Sequence, residues 1–203
     1  DDLRWSNWQH KTGAEMLSHI RENVFPELRK MGGGTEESSF ALYMQNAEFK
    51  INTPNLLVKA VNKIEEMKIS KQNQDVQGDL YEYLLSKLNT AGRNGQFRTP
   101  RHIIRMMVEM LDPKPGERIG DLAAGTCGFL VNPYQYILEQ STSEDLRKYD
   151  ESGDMIHPIG DLLTQEQREF LKNGAFRGYD NDSGMTMLRI GSMNMMLHGL
   201  LRP

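Results

Sequence analysis

The chain has 203 residues, 38% of them hydrophobic, a formal net charge of −4 and a single cysteine, Cys127. That length allows one or two domains with a core of ordinary size. The charge excludes a strongly basic nucleic-acid binder as a whole, though local phosphate contacts stay open, and one cysteine excludes a disulfide framework. With no secretory leader and no apolar run of membrane-spanning length, the reading is a cytoplasmic protein with no membrane partner.

Residues 1 to about 92 read as all-helical. Met16, Leu17, Ile20 and Val24 follow helical spacing, with Pro26 near the helix end. Met31 to Ser39, with three consecutive glycines, reads as a loop. Leu57, Val61, Ile64 and Met67 repeat on a second helical face, and Leu80, Leu84, Leu85 and Leu88 on a third that starts at Gly78-Asp79. Trp5 and Trp8 are candidates for core, or for anchoring a partner. The bland function of such a bundle is packing or assembly.

Gly92, Asn94 and Gly95 then predict a joint. Thr99-Pro100 predicts a helix start, Thr capping the first N–H groups and Pro occupying the first turn. Ile103, Ile104, Met107, Val108 and Leu111 form the apolar face of that helix, which stops at Asp112-Pro113.

Arg118-Ile119-Gly120 reads as a short buried strand and Phe129 to Gln140 as a helix. Between them lies Asp121-Leu122-Ala123-Ala124-Gly125-Thr126-Cys127-Gly128. A carboxylate at a strand end, a glycine turn and a helix form the pocket unit of open α/β sheets, whose ligands sit outside the strands' carboxyl ends. Gly125 lets backbone approach a ligand closely; a purely structural turn explains the same residues. The Gly125-x-x-Gly128 spacing is neither a dinucleotide nor a P-loop pattern. Asp121 suits a cationic or hydroxylated ligand better than a phosphate.

Ser141 to about Phe170 is polar and reads as an insertion, with a capped short helix at Thr164-Gln165-Glu166-Gln167. Phe176 to Asp180 reads as a second strand ending in a carboxylate, the place where dinucleotide folds hold ribose hydroxyls. The last helix runs from about Ser183 with Met187, Ile190, Met193, Leu197 and Leu200 on one face. The five histidines lack metal-ligand spacing, so no metal is expected. Cys127 as a nucleophile is the minor alternative to a turn residue.

Three motifs occur in one order: Gly95-Gln96-Phe97-Arg98-Thr99-Pro100-Arg101, then Asp121-x-Ala123-x-Gly125-Thr126-x-Gly128-Phe129-Leu130, then Gly178-x-Asp180 with Met193-Asn194-Met195-Met196-Leu197-His198-Gly199. Together they resemble the modification (M) subunit of type I restriction–modification enzymes, which are N6-adenine DNA methyltransferases. Gly78 to Leu85 is similar to the helix that precedes the methyltransferase domain in that family.

The resemblance implies an α/β fold: an N-terminal all-helical domain, residues 1–92, followed by the first part of a Rossmann-like S-adenosylmethionine-dependent methyltransferase domain, residues 93–203. It implies that Gln96, Phe97, Arg98, Thr99, Pro100 and Arg101 fold over the methionine part of S-adenosyl-L-methionine. Asp121, Ala124, Gly125, Thr126 and Gly128 would form the cofactor loop, and Asp180 would hold the ribose hydroxyls. The implied partners are double-stranded DNA, a specificity (S) subunit, a restriction (R) subunit and a second M subunit. The family's catalytic Asn-Pro-Pro-Phe/Tyr is not in these residues and is expected beyond Pro203, so the chain reads as a fragment with no catalytic residue of its own. Leu122, Ala124 and Cys127 stand where the commonest family loop has Pro, Cys and Gly. Rival readings are a methyltransferase of the same fold on another substrate, a non-catalytic scaffolding relative and, disfavoured by the glycine spacing, a nicotinamide dehydrogenase.

Overall fold

The computed structural model describes residues 2–30, 47–66, 68, 80, 81, 83, 99–151, 153–181 and 186–200. It divides into two compact units, Asp1–Asn73 and Gln74–Pro203. The division falls ahead of the 92/93 boundary read from the sequence. Tyr81 belongs with the second unit: its hydroxyl donates to the carbonyl of Ile190 at 3.4 Å.

In the first unit, α1 (Trp5–Trp8), α2 (Gly13–His19), a π-helical stretch (Ile20–Val24) and α3 (Phe25–Lys30) precede α4 (Pro54–Glu66). Thr12 starts α2 with a reciprocal capping box to Glu15. The helix does not end at Pro26. The wider i→i+5 turn just before it carries the chain past a residue that has no N–H for an α-turn. Met16, Leu17 and Ile20 meet Leu57 and Val61 of α4 in one buried cluster that includes Trp8. Trp5 is half-buried, edge-on to Trp8 with ring centroids 4.7 Å apart, and its indole N–H donates to Glu65 at 2.9 Å. Both tryptophans are therefore structural. Ile64, expected on the buried face, is exposed.

In the second unit, α5 (Arg101–Leu111) leads to β1 (Ile119–Asp121), α6 (Gly128–Gln140), a 3₁₀ turn (Glu144–Leu146), β2 (Lys148–Tyr149), β3 (Met155–Ile156), α7 (Gln165–Asn173), β4 (Phe176–Gly178) and α8 (Thr186–Leu197). β1 and β4 pair in parallel with Asp121 opposite Gly178. The bonding continues past the strands, because Tyr179 N–H reaches the Asp121 carbonyl at 2.8 Å. The segment read as an insertion is the small antiparallel β2–β3 ribbon followed by α7, whose start carries the Thr164/Gln167 capping box. Leu130, Val131, Tyr134 and Ile137 of α6 cover one side of the β1–β4 pair and form the main core with Phe176, Leu171 and Met195. β1 itself is only half-buried.

Three local expectations are corrected. Thr99 does not cap α5: the cap residue is Pro100, and no side chain accepts there. Of the expected α5 face only Ile104 and Val108 are buried, against Tyr136 and Phe129; Met107 and Leu111 are exposed, with no described element over them. Of the apolar set read from spacing for the last helix, Met187 and Leu200 are buried while Ile190, Met193 and Leu197 are only partly so, and the buried residues between them are Gly191, Ser192, Asn194, Met195 and His198. Polar Asn194 and His198 are buried at 0% and 4% exposure.

Candidate functional site

The site is the turn from β1 into α6, flanked by the end of β4. Asp121 closes the strand, and its Oδ1 accepts the N–H of Ala123 at 3.0 Å, an Asx turn that reverses the chain. Its other oxygen, Oδ2, is buried and has no hydrogen-bond partner among the described residues. A buried carboxylate oxygen left unpaired is costly, so this atom marks where a donor group would be stabilised. Leu122 points into solvent at 84% exposure.

The loop is then pinned to β4. Ala124 N–H donates to the Tyr179 carbonyl at 2.8 Å, and Gly125 N–H donates to Asp180 Oδ2 at 2.7 Å. Asp180 thus sits across the turn from Asp121, one oxygen committed to the loop backbone. Gly125 has φ +50°, and among the described residues an added Cβ there would meet only the Ala123 carbonyl oxygen, at 4.0 Å. The space beside the turn is open, and the left-handed conformation is the one glycine adopts without strain. Cys127 also lies in the left-handed region, φ 64°, as the residue before α6. Burial first, then the charges of Asp121 and Asp180, push its thiol up to about 12. It stays protonated and is no nucleophile.

The loop is backed by close backbone contacts. A Cβ on Gly178 would lie 3.0 Å from Leu130 Cδ1 and 3.1 Å from Ala124 Cβ; one on Gly128 would meet Ile104 Cδ1 at 3.2 Å. From α8, Asn194 Nδ2 donates to the Thr126 carbonyl at 2.9 Å. Asp121, Ala124, Gly125, Thr126, Gly128 and Asp180 are therefore gathered around one turn. Thr99, Pro100 and Arg101 stand at the head of α5. Arg101 donates to Gln135 at 3.1 Å and lines a groove with His102, Arg105 and Glu139. In that groove Arg105 bridges Glu109 and Glu139, each at 2.6 Å. Gln96, Phe97 and Arg98 lie outside the described residues. Two carboxylates across an open glycine turn can hold a ligand that carries a cationic group and hydroxyls.

Residues 72–202 match the N-6 DNA Methylase family. The chain belongs to that family. Residues 1–64 match the HsdM N-terminal domain. A type I restriction enzyme EcoEI methylase subunit of Escherichia coli is 32% identical over 152 residues, covering 70% of this chain and 31% of that protein. The StySPI methylase subunit of Salmonella potsdam is 29% identical over 206 residues, covering 98% and 35%. Among solved structures, a modification subunit of a putative type I restriction enzyme from Vibrio vulnificus YJ016 superposes with a TM-score of 0.65 at 27% identity, covering 99% of this chain and 41% of that one. The chain spans about a third of the length of the curated relatives it matches. The N-6 DNA methylase assignment agrees with the fold: a helical unit, then the opening β–turn–α and second strand of a Rossmann-like sheet.

Around this turn, the sequence offered Gly178 and Asn194 only as members of the motifs that carry the family resemblance, and gave no role to either or to Gly191. The available signal was compositional: two small residues and one amide amid the apolar residues of β4 and α8. No described helix is long and apolar enough to cross a membrane.

Proposed function

We propose that the protein to which this chain belongs transfers a methyl group from S-adenosyl-L-methionine to the N6 of adenine in double-stranded DNA. It would act as the M subunit of a type I assembly with a specificity (S) subunit, a restriction (R) subunit and a second M subunit, in the cytoplasm. The observation that carries this reading is the buried Asp121 Oδ2, without a hydrogen-bond partner among the described residues, on the turn whose Gly125 N–H is held by Asp180. Membership of the N-6 DNA methylase family and the resemblance to type I methylase subunits support the choice of donor and acceptor.

The donor's chemistry fits these residues. When bound, it supplies an electrophilic methyl on a sulfonium centre. Asp121 offers its free oxygen to an ammonium or hydroxyl donor. Asp180, held by Gly125 N–H, offers its second oxygen to a ribose diol. Gly125 keeps side-chain bulk out of the approach. Gln96 to Arg101 would close over the methionine end. The target base must leave the duplex to meet the methyl group, and rate enhancement rests on positioning its amine.

The test is cofactor binding by the full-length protein, read by calorimetry, with NAD as competitor. S-adenosyl-L-methionine is expected to bind and NAD not to displace it. Asp121→Ala and Asp180→Ala should each weaken binding by about 10- to 100-fold, the loss of a hydrogen bond to a charged group. Displacement by NAD, or no effect of either substitution, overturns the assignment.

A further inference from the structure

The loop from Ala124 to Cys127 holds two left-handed residues, Gly125 and Cys127, within three positions. No helix or ladder can run through such a stretch, so each peptide plane needs its own restraint. Three of the loop's N–H groups are restrained: Ala124 to Tyr179, Gly125 to Asp180, and Cys127 to the Ala124 carbonyl at 2.6 Å. The Thr126 carbonyl is held from outside the loop, by Asn194. Asn194 is wholly buried on α8, and its own carbonyl accepts from His198 Nδ1 at 2.8 Å. One turn earlier, Gly191 has no room for a Cβ, which would fall 2.9 Å from the Gly125 carbonyl oxygen. The helix and the loop therefore meet backbone to backbone.

We infer that Asn194 is a positioning residue for the cofactor loop: by gripping the Thr126 carbonyl it holds the Thr126–Cys127 peptide plane from outside, together with the local bond from Cys127 N–H to the Ala124 carbonyl, and so keeps Cys127 left-handed and the turn open. Rotation of that plane would let Cys127 relax to an ordinary right-handed conformation, which a non-glycine residue prefers. The relaxation would swing the Thr126 carbonyl away from Asn194 and displace Gly125 from Asp180. A buried amide at this point adds nothing to apolar packing that leucine would not, so its worth lies in directed hydrogen bonding, that to the Thr126 carbonyl included. The link to ligand binding rests on the function proposed above.

The experiment uses the full-length protein with Asn194→Leu, which keeps the volume and removes the donor, and Asn194→Ala, which introduces no steric clash. Met195→Ala is the control, a wholly buried neighbour on the same helix that faces the main core. Amide exchange of Ala124, Gly125 and Cys127 should speed up by about tenfold or more in both Asn194 variants, relative to Leu130 and Val131 in α6. In the control the loop and helix amides should change together. The Kd for S-adenosyl-L-methionine should rise by about tenfold in the Asn194 variants and by less than about twofold in the control. The KM for DNA should be unchanged in both. Equal loop protection in wild type and Asn194 variants, or an equal loss in Met195→Ala, overturns the inference and leaves Asn194 as core. If wild type does not bind the cofactor, the proposed function fails, and the exchange data still decide the role of Asn194.

Discussion

The cluster of the first unit is buried and the turn of the second only partly so, and the two are built by opposite means. In the first, Met16, Leu17, Ile20, Leu57 and Val61 are large side chains stacked at helical spacing, and stability comes from the apolar area they cover. In the second, Gly191 brings helix backbone against the Gly125 carbonyl, Gly128 and Gly178 make room for the side chains of Ile104, Leu130 and Ala124, and direction comes from Asp180 and Asn194. A core of long flexible side chains absorbs a change of shape. A contact closed on a backbone oxygen, as at Gly191, has far less that can yield.

The difference predicts unequal tolerance. Gly191→Ala places a methyl 2.7 Å from Cys127 Sγ and 2.9 Å from a backbone oxygen. It should cost about 3 kcal/mol, with loss of cofactor binding. Leu57→Met, equally buried but in the flexible cluster, should cost less than about 1.5 kcal/mol. Denaturant titration of both variants checks the contrast, and equal costs would break it.

A second consequence concerns alkaline pH. The thiol of Cys127 is raised from 9.0 to about 12 by burial and the two carboxylates. Its folded value lies above its unfolded one. The stability it contributes is therefore fully present below about pH 9 and lost as pH rises towards 12. By about pH 10.5 the loss should reach about 2 kcal/mol. Tyrosines and lysines titrate in the same window, so the measurement is the difference between wild type and Cys127→Ala in pH-dependent melts. Parallel curves would mean that the thiol is solvated.

The same contrast explains what was legible in the sequence. The apolar repeats at 16, 17 and 20 and at 57 and 61 read directly as a buried face, because a 3.6-residue period is a property of the chain itself. The strand–turn–helix around Gly125, the Thr164 capping box and the acid at 180 were also legible, since each is a local chemical signature. Periodicity failed where burial needs a neighbour. Leu111 and Met107 fit the period but meet no partner among the described residues, and Thr99 fits a capping rule that Pro100 takes over. On α8 the period was drawn through apolar residues. The inner face instead includes Gly191 and Asn194, because what they meet is a loop backbone 60 to 70 residues earlier in the chain. No spacing rule within one helix carries that information.

The smallest effect is the sharpest test of the loop geometry. In an ordinary helical position alanine is more stable than glycine by about 1 kcal/mol, since glycine loses more backbone entropy on folding. At φ 64° the order should invert. Cys127→Ala and Cys127→Gly both remove the sulfur and its packing, so that loss cancels between them. What remains is the clash of Cβ with the backbone, about 1 to 2 kcal/mol in favour of glycine, set against glycine's entropy cost. Cys127→Gly should therefore be more stable than Cys127→Ala by about 0.5 to 1 kcal/mol. Comparing the two variants at neutral pH by chemical denaturation reads the backbone alone. If alanine is the more stable, Cys127 is not left-handed in solution. The Thr126–Cys127 plane then faces the other way, and Asn194 has no carbonyl to hold.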